Sequence, residues 1–192
     1  MKLIIGLGNP EPDYSWTRHN IGKETLNKFV ESEGSGKWSV NKKLESEIVK
    51  VDGGILAKPL PYMNEAGRSI RKLVDYYNIE LNDLLVIYDE LDLVVGEYKM
   101  GKGKGSKIHN GILSVNQFLS GKNEDSSNDG IENNYWHLRV GVRDSSILGS
   151  VQKTGMDPAK YVLSQFGASD RENISKLLSE SLVGELNRFL ST

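Results

Sequence analysis

Six side chains in this sequence stand at the ends of apolar runs or the starts of glycine-adjacent loops, where an α/β protein usually keeps its chemistry: Asn9, His19, Asn64, Asp89, His109 and Asn110. The chain has only three histidines, so two in polar loops are informative. A histidine beside a carboxylate is the standard general base, because the carboxylate fixes the tautomer and stabilises the imidazolium that forms. His19 and Asp89 are the candidates for that pair. Each follows one of the two runs that read as central strands, Leu3-Ile4-Ile5 and Leu84-Leu85-Val86-Ile87-Tyr88, which brings both to one edge of the sheet. Any one histidine taken alone is more often structural than catalytic, since a site needs mutual geometry.

No activated nucleophile accompanies them. The chain has no cysteine and no Gly-x-Ser-x-Gly elbow. His19 with Asp89 would therefore activate water directly, while side-chain amides position the substrate or stabilise an oxyanion. The histidines lack ligand spacing such as His-Glu-x-x-His, and thiolate sites are excluded, so neither a metal nor another cofactor is expected. Gly6-x-Gly8 looks like the start of a dinucleotide fingerprint, but Pro10, Glu11 and Pro12 occupy the place where its helix should begin. The residues alone predict a water-activating hydrolase with an amide-rich pocket. They do not reach a substrate.

Charge adds one hint. The net charge is −2 and the pI about 6.0, which on totals argues against a nucleic-acid binder. Distribution argues the other way: Lys99, Lys102, Lys104 and Lys107 are interleaved with glycine and uninterrupted by any acid, a stretch able to meet a phosphate backbone or simply to be a solvated loop. No apolar run approaches membrane-spanning length, and a strand beginning at Leu3 leaves no room for a leader. The expected location is the cytoplasm, with the mitochondrion left open for a eukaryotic source.

The elements that must position these groups follow from periodicity. A helix runs from Asn20, read as its N-cap, with Ile21, Leu26, Phe29 and Val30 on one face. Strands at Leu44 to Val51 and Ile55 to Lys58 are joined at Asp52-Gly53-Gly54. Asn64 leads into a helix burying Ala66, Ile70, Leu73, Val74 and Tyr77. Further strands are expected near Val95 to Met100 and over Trp136 to Val142, with a helix from His109 to Leu119 between them. Residues 120–134 read as a mobile surface insertion. Asp157-Pro158 opens a short helix to about Phe166, and Ser169 or Asp170 caps the last one. No repeat or linker divides the chain, so residues 1–192 are expected to form one α/β domain, a central mixed sheet flanked by helices.

Along nearly its whole length the sequence resembles the bacterial-type peptidyl-tRNA hydrolases. The matching stretches are GLGNPEPDYSWTRHNIG (6–22), KPLPYMNEAG (58–67), LLVIYDELDL (84–93), HNGILS (109–114), LRVGV (138–142) and YVLSQF (161–166), in family order and spacing. GNPEP in place of GNPGP is similar to the fungal and mitochondrial branch. The resemblance implies a phosphorylase/hydrolase-like fold and a carboxylic ester hydrolase. It would cleave peptide from the terminal ribose of tRNA and so recycle tRNA in translation. It implies that His19 is the general base, oriented by Asp89, with Asn9, Asn64 and Asn110 holding the peptide and the scissile ester. Tyr14 matches a tyrosine that stacks on the tRNA end, Met63 lines the peptide cleft, and His109 stands beside the gate. It further implies a monomer without metal that grips the acceptor stem and CCA end through basic residues, Arg139 among them.

Departures fall mainly on the tRNA side. GKGSKIHNG replaces GGSAGGHNG, Leu113 stands where a lysine is usual, HDELDLPPG has become YDELDLVVG, and a lysine of some members falls on Gly101. Lys102 or Lys104 would have to substitute. The alternative reading is a non-catalytic RNA-binding relative of the same fold.

Overall fold

The computed structural model describes residues 1–34, 36–103, 105–106, 108–120, 133–147 and 149–192. Seven strands form one mixed sheet: β1 (Lys2–Gly6), β2 (Ser39–Asn41), β3 (Ser46–Val51), β4 (Gly54–Pro59), β5 (Leu84–Val94), β6 (Tyr98–Gly103) and β7 (Asn133–Arg143), in the order β2-β3-β4-β1-β5-β7-β6. The four inner strands β4, β1, β5 and β7 are mutually parallel; β3 and β6 run antiparallel to them on either side, and the edge strand β2 pairs antiparallel with β3.

The parallel strands are buried on both faces, which is why their sequences run apolar without alternation. On one face Leu3, Ile5, Val86 and Tyr88 pack against α2 (Ala66–Tyr76) and α3 (Asn110–Leu119). On the other, Ile4, Leu85, Ile87 and Leu138 pack against α1 (Ile21–Glu33) and the C-terminal helices α5 (Ala168–Leu177) and α6 (Val183–Ser191). A short α4 (Pro158–Val162) precedes them, with Asp157 as its N-cap through Oδ1 to the Ala159 amide.

Two glycines bring α1 onto the sheet edge. A Cβ on Gly22 would lie 2.4 Å from the Ile87 carbonyl oxygen and 2.6 Å from Leu7 backbone atoms, and one on Gly6 would lie 2.4 Å from the Gly22 oxygen. The start of α1 therefore sits directly on the ends of β1 and β5, and the residues just before it, Arg18–Asn20, are delivered to that edge. At Gly6 the need is close approach rather than the positive φ that a glycine also permits, since its φ is not among the positive ones. Arg18 ties the same corner to the C-terminal half. Its guanidinium donates to the Val142 and Gln165 carbonyls and to Asp170, and lies 4.5 Å from the Tyr161 ring centroid.

Several expected boundaries shift. The three-residue β2 is too short to show a period, and the strand expected from Leu44 starts at Ser46 because residues 42–45 form a turn. Asp89-Glu90-Leu91-Asp92 reads as a polar strand end, yet β5 continues through it to Val94, still paired with β7 across an irregularity. The last helix begins after Gly167, ahead of the expected Ser169 or Asp170 cap, and includes a π-helical turn at Leu178–Leu182. Of the insertion read at 120–134, residues 121–132 lie outside the described residues, as do Lys104 and Lys107.

Candidate active site

The carboxyl ends of β1 and β5 and the start of α3 converge on one carboxylate. Asp89, buried on β5, accepts two hydrogen bonds on the same oxygen: His19 Nδ1 lies 2.7 Å from Oδ1, and His109 Nε2 lies 2.8 Å from it. The two imidazoles are tilted neighbours, with centroids 4.9 Å apart. The network assigns the tautomers. His109 caps α3 by accepting the Ile112 amide on Nδ1, so its proton is on Nε2, facing Asp89. His19 donates from Nδ1, leaving Nε2 as a lone pair that meets no described residue and belongs to a ring lining the cleft.

Electrostatics follow from this arrangement. Burial pulls the His19 pKa down, but the charge and hydrogen bond of Asp89 push it up and prevail, so it lies above the ordinary histidine value. Burial alone would raise the Asp89 pKa, yet the two histidines hold it far below the usual carboxylate range. The site keeps its anion and favours an imidazolium beside it.

Asn9 is fixed with equal care. Its Oδ1 accepts the Met63 amide at 2.9 Å, its own amide donates to Asn20 Oδ1 at 2.8 Å, and its carbonyl accepts from Asn20 Nδ2 and Lys23 Nζ. The Nδ2 group is left to face the cleft, with no bond to a described residue. Asn20 occupies the N-cap position of α1, but it makes no side-chain capping bond: its amide turns back to clamp Asn9. Lys23 is a site residue that sequence reasoning missed. The available signal was a lysine in the first turn of a buried helix, where a cation is out of place. Tyr88 was also missed. Its ring lies 5.0 Å from that of His109, and its hydroxyl accepts the Ser106 amide, anchoring the segment before α3.

The cleft of about 580 Å³ is lined by Asn9, His19, Met63, Asn64, Asp89, His109 and Asn110, with Ile108, Val162 and Leu163 as apolar wall. Six of the expected site residues thus meet one cavity beside Asp89. Asn64 and Asn110 stand exposed at its rim, on the turn Met63–Glu65 and at the start of α3. Tyr14 does not line the cleft; it makes an edge contact at 6.2 Å with Tyr62, which does. Arg139 lies on β7 beside Tyr88 and 3.7 Å from Glu90. Lys102 is remote. It pairs with Trp136, four residues before the partner of Asp89, about 13 Å along the sheet at the usual rise per residue. There Lys102 Nζ bonds Asn82 Oδ1 and lies over the Trp136 ring.

His19, Asp89 and His109 are also the group among the described residues whose ligand atoms lie close enough, within 4.8 Å, to hold a metal ion. A nitrogen of each histidine is already hydrogen-bonded to the same Asp89 oxygen. A tetrahedral ion with bonds of about 2.0–2.1 Å would need its ligand atoms about 3.3 Å apart, wider than either N···O distance here.

A sheet of parallel inner strands with a buried histidine–aspartate pair and free amides at its carboxyl edge defines an α/β protein of the hydrolase class. Comparison with known proteins narrows that class. A family model described as Peptidyl-tRNA hydrolase matches residues 3–191. The peptidyl-tRNA hydrolase of Corynebacterium efficiens is 35% identical over 179 residues, covering 93% of this chain and 90% of that protein. That of Rickettsia bellii (strain OSU 85-389) is 38% identical over 175 residues, covering 88% and 83%. The crystal structure of peptidyl-tRNA hydrolase from Acinetobacter baumannii superposes with a TM-score of 0.76 over 100% of this chain and 93% of its own, at 24% identity, which shows the shared fold. The chain belongs to the peptidyl-tRNA hydrolase family, of the bacterial type, and so to the ester hydrolases whose substrate is peptidyl-tRNA. Among the described residues no helix is long and apolar enough to cross a membrane.

Proposed function

We propose that His19 is the general base of a metal-free hydrolysis of the ester between a peptide and the 3′-terminal ribose of tRNA. The observation that carries this is the 2.7 Å bond from His19 Nδ1 to Asp89, which leaves Nε2 unprotonated toward the cleft. His19 Nε2 takes a proton from water as the water oxygen attacks the ester carbon. Asp89 holds the ring in register and stabilises the imidazolium. Asn9 Nδ2 donates to the developing oxyanion; removing one such donor typically costs about two to three powers of ten in turnover. Collapse of the tetrahedral intermediate breaks the bond to the ribose oxygen, which receives the proton from His19.

Asn64 and Asn110 bind the peptide backbone at the rim, Met63 and His109 shape the cleft between them, and the Tyr14–Tyr62 pair offers a stacking edge for the terminal base. Arg139, Lys102 and Lys104 contact phosphates of the acceptor stem, and the chain acts as a cytoplasmic monomer. The distance of Lys102 from Asp89 suits a stem contact and not a role in the chemistry.

The test is release of labelled peptide from an N-acetylated aminoacyl-tRNA, wild type beside His19→Ala, with chelator present. Turnover that survives chelator and is lost in the variant supports base and metal independence together. Chelator-sensitive turnover overturns the metal-free step. Replacing Lys102 and Lys104 together with alanine should weaken tRNA binding and flatten its salt dependence by about 0.7–0.9 in slope for each phosphate no longer neutralised. An unchanged slope moves the clamp elsewhere.

A further inference from the structure

Lys23 breaks three local rules at once. It is a lysine only 3% exposed, it lies in the first turn of α1 where the helix dipole disfavours a cation, and its stem packs against Gly8 so closely that a Cβ there would approach it to 2.9 Å. Such violations persist where function compensates for them. Its Nζ donates to the Asn9 carbonyl at 2.9 Å, the oxygen that Asn20 Nδ2 also holds at 3.1 Å.

We infer that Lys23, as an ammonium ion, is a positioning residue that holds Asn9 so that Nδ2 meets the oxyanion, an inference that rests on the role proposed above for Asn9. The carbonyl of Asn9 is pulled from beneath by two donors while its Oδ1 is held by the Met63 amide. Only the Nδ2 end is then free, and it cannot rotate without breaking the Met63 bond. Preorganisation of this kind sets turnover more than ground-state binding. A charged donor binds a carbonyl more strongly than a neutral amine does, so the clamp weakens when Lys23 loses its proton.

The charged neighbours facing Lys23 are Glu11 in the loop after β1, Glu24 on α1, and Glu47 and Lys58 on β3 and β4. Burial lowers the Lys23 pKa, the three acids restore part of it, Lys58 opposes them, and the result is about 8. Turnover should therefore show an alkaline limb near that pH.

The experiment is the pH profile of kcat and KM on N-acetylated aminoacyl-tRNA, corrected for spontaneous ester hydrolysis, for wild type, Lys23→Met and His19→Ala. Methionine keeps the stem against Gly8 and removes the charge. The expected result is a kcat lowered about tenfold at pH 7, less than loss of an oxyanion donor itself, with KM little changed and the alkaline limb abolished. A Lys23→Met enzyme with wild-type kcat and the same alkaline limb overturns the inference, provided His19→Ala is inactive in the same assay. A wild-type kcat that stays level through pH 9.5 overturns it without any variant, which covers the case that Lys23→Met does not fold. Activity retained by His19→Ala would instead strike the underlying reading of the site.

Discussion

Two histidines of this protein are buried to nearly the same degree and face opposite fates. His19 ends the loop after β1 and meets Asp89; His137 lies within β7, its Nδ1 3.4 Å from the Tyr88 hydroxyl and its Nε2 buried without a hydrogen-bond partner among the described residues. Burial lowers both pKa values. At His19 the carboxylate reverses the effect, whereas at His137 the Arg139 charge adds to it and the value falls to about 4. Burial alone makes a histidine an inert neutral ring. The sign of the charge it meets decides whether it can serve as a base.

The strongest way to break this comparison is to exchange consequences. His19→Ala should lower kcat by roughly two to four powers of ten, the usual range for a general base, while His137→Gln stays within an order of magnitude of wild type. A folded His19→Ala variant retaining more than a tenth of the activity would remove His19 from the chemistry.

Asp89→Asn should place His19 in the situation of His137. Without the carboxylate only burial acts on the ring, so its pKa should drop from above to below the ordinary value of about 6.5. Because the base must be unprotonated, the acid limb of kcat/KM lies above about pH 6.5 in the wild type. It should move below that value in the variant. The plateau should fall by about two powers of ten, since the imidazolium loses its stabilising anion. Affinity for tRNA should hold. A limb that stays in place would mean that another group titrates there.

How far the site was legible in the sequence depends on what each residue bonds to. Apolar runs at Leu3–Ile5 and Leu84–Tyr88 named the two parallel strands, and the polar residues after them named the edge at which His19 and Asp89 meet. Asn20 does hold the N-cap position expected of an Asn at a helix start, but its side chain bonds Asn9 in the loop after β1 instead of the helix amides. The continuation of β5 past Asp89 was hidden because Glu90 and Asp92 break the apolar run, although the ladder to β7 persists. Lys102 read as part of a free basic loop, but an antiparallel register against β7 sets it beside Asn82, far from Asp89. Apolar runs make the strand ends legible, and with them a distant pair such as His19 and Asp89; which partner a side chain takes among several polar neighbours, as for Asn20 and Lys102, depends on the folded register and was not.

The smallest expected effect is on stability, and its sign separates the two histidines. The folded pKa of His137 is depressed, so between about pH 6.5 and about 4 the unfolded chain binds the proton that the native ring refuses. Stability is therefore present above that window and lost as the pH falls through it. His19 has the opposite sign: its raised pKa contributes stability that is complete below about pH 6.5 and lost as the pH rises past the folded value. Asp89 destabilises only as the pH falls toward the unfolded carboxylate value of about 3.9 and below, because its folded pKa is depressed, and it does so alike in wild type and variant. His137→Gln removes the titrating group, so its thermal midpoint should fall less than that of the wild type between pH 6.5 and 4.5. Each kcal/mol recovered corresponds to about 2–4 °C in a chain of this size. Parallel declines in the two proteins would mean that His137 takes up its proton in the native state, and that its buried Nε2 finds a partner when it does.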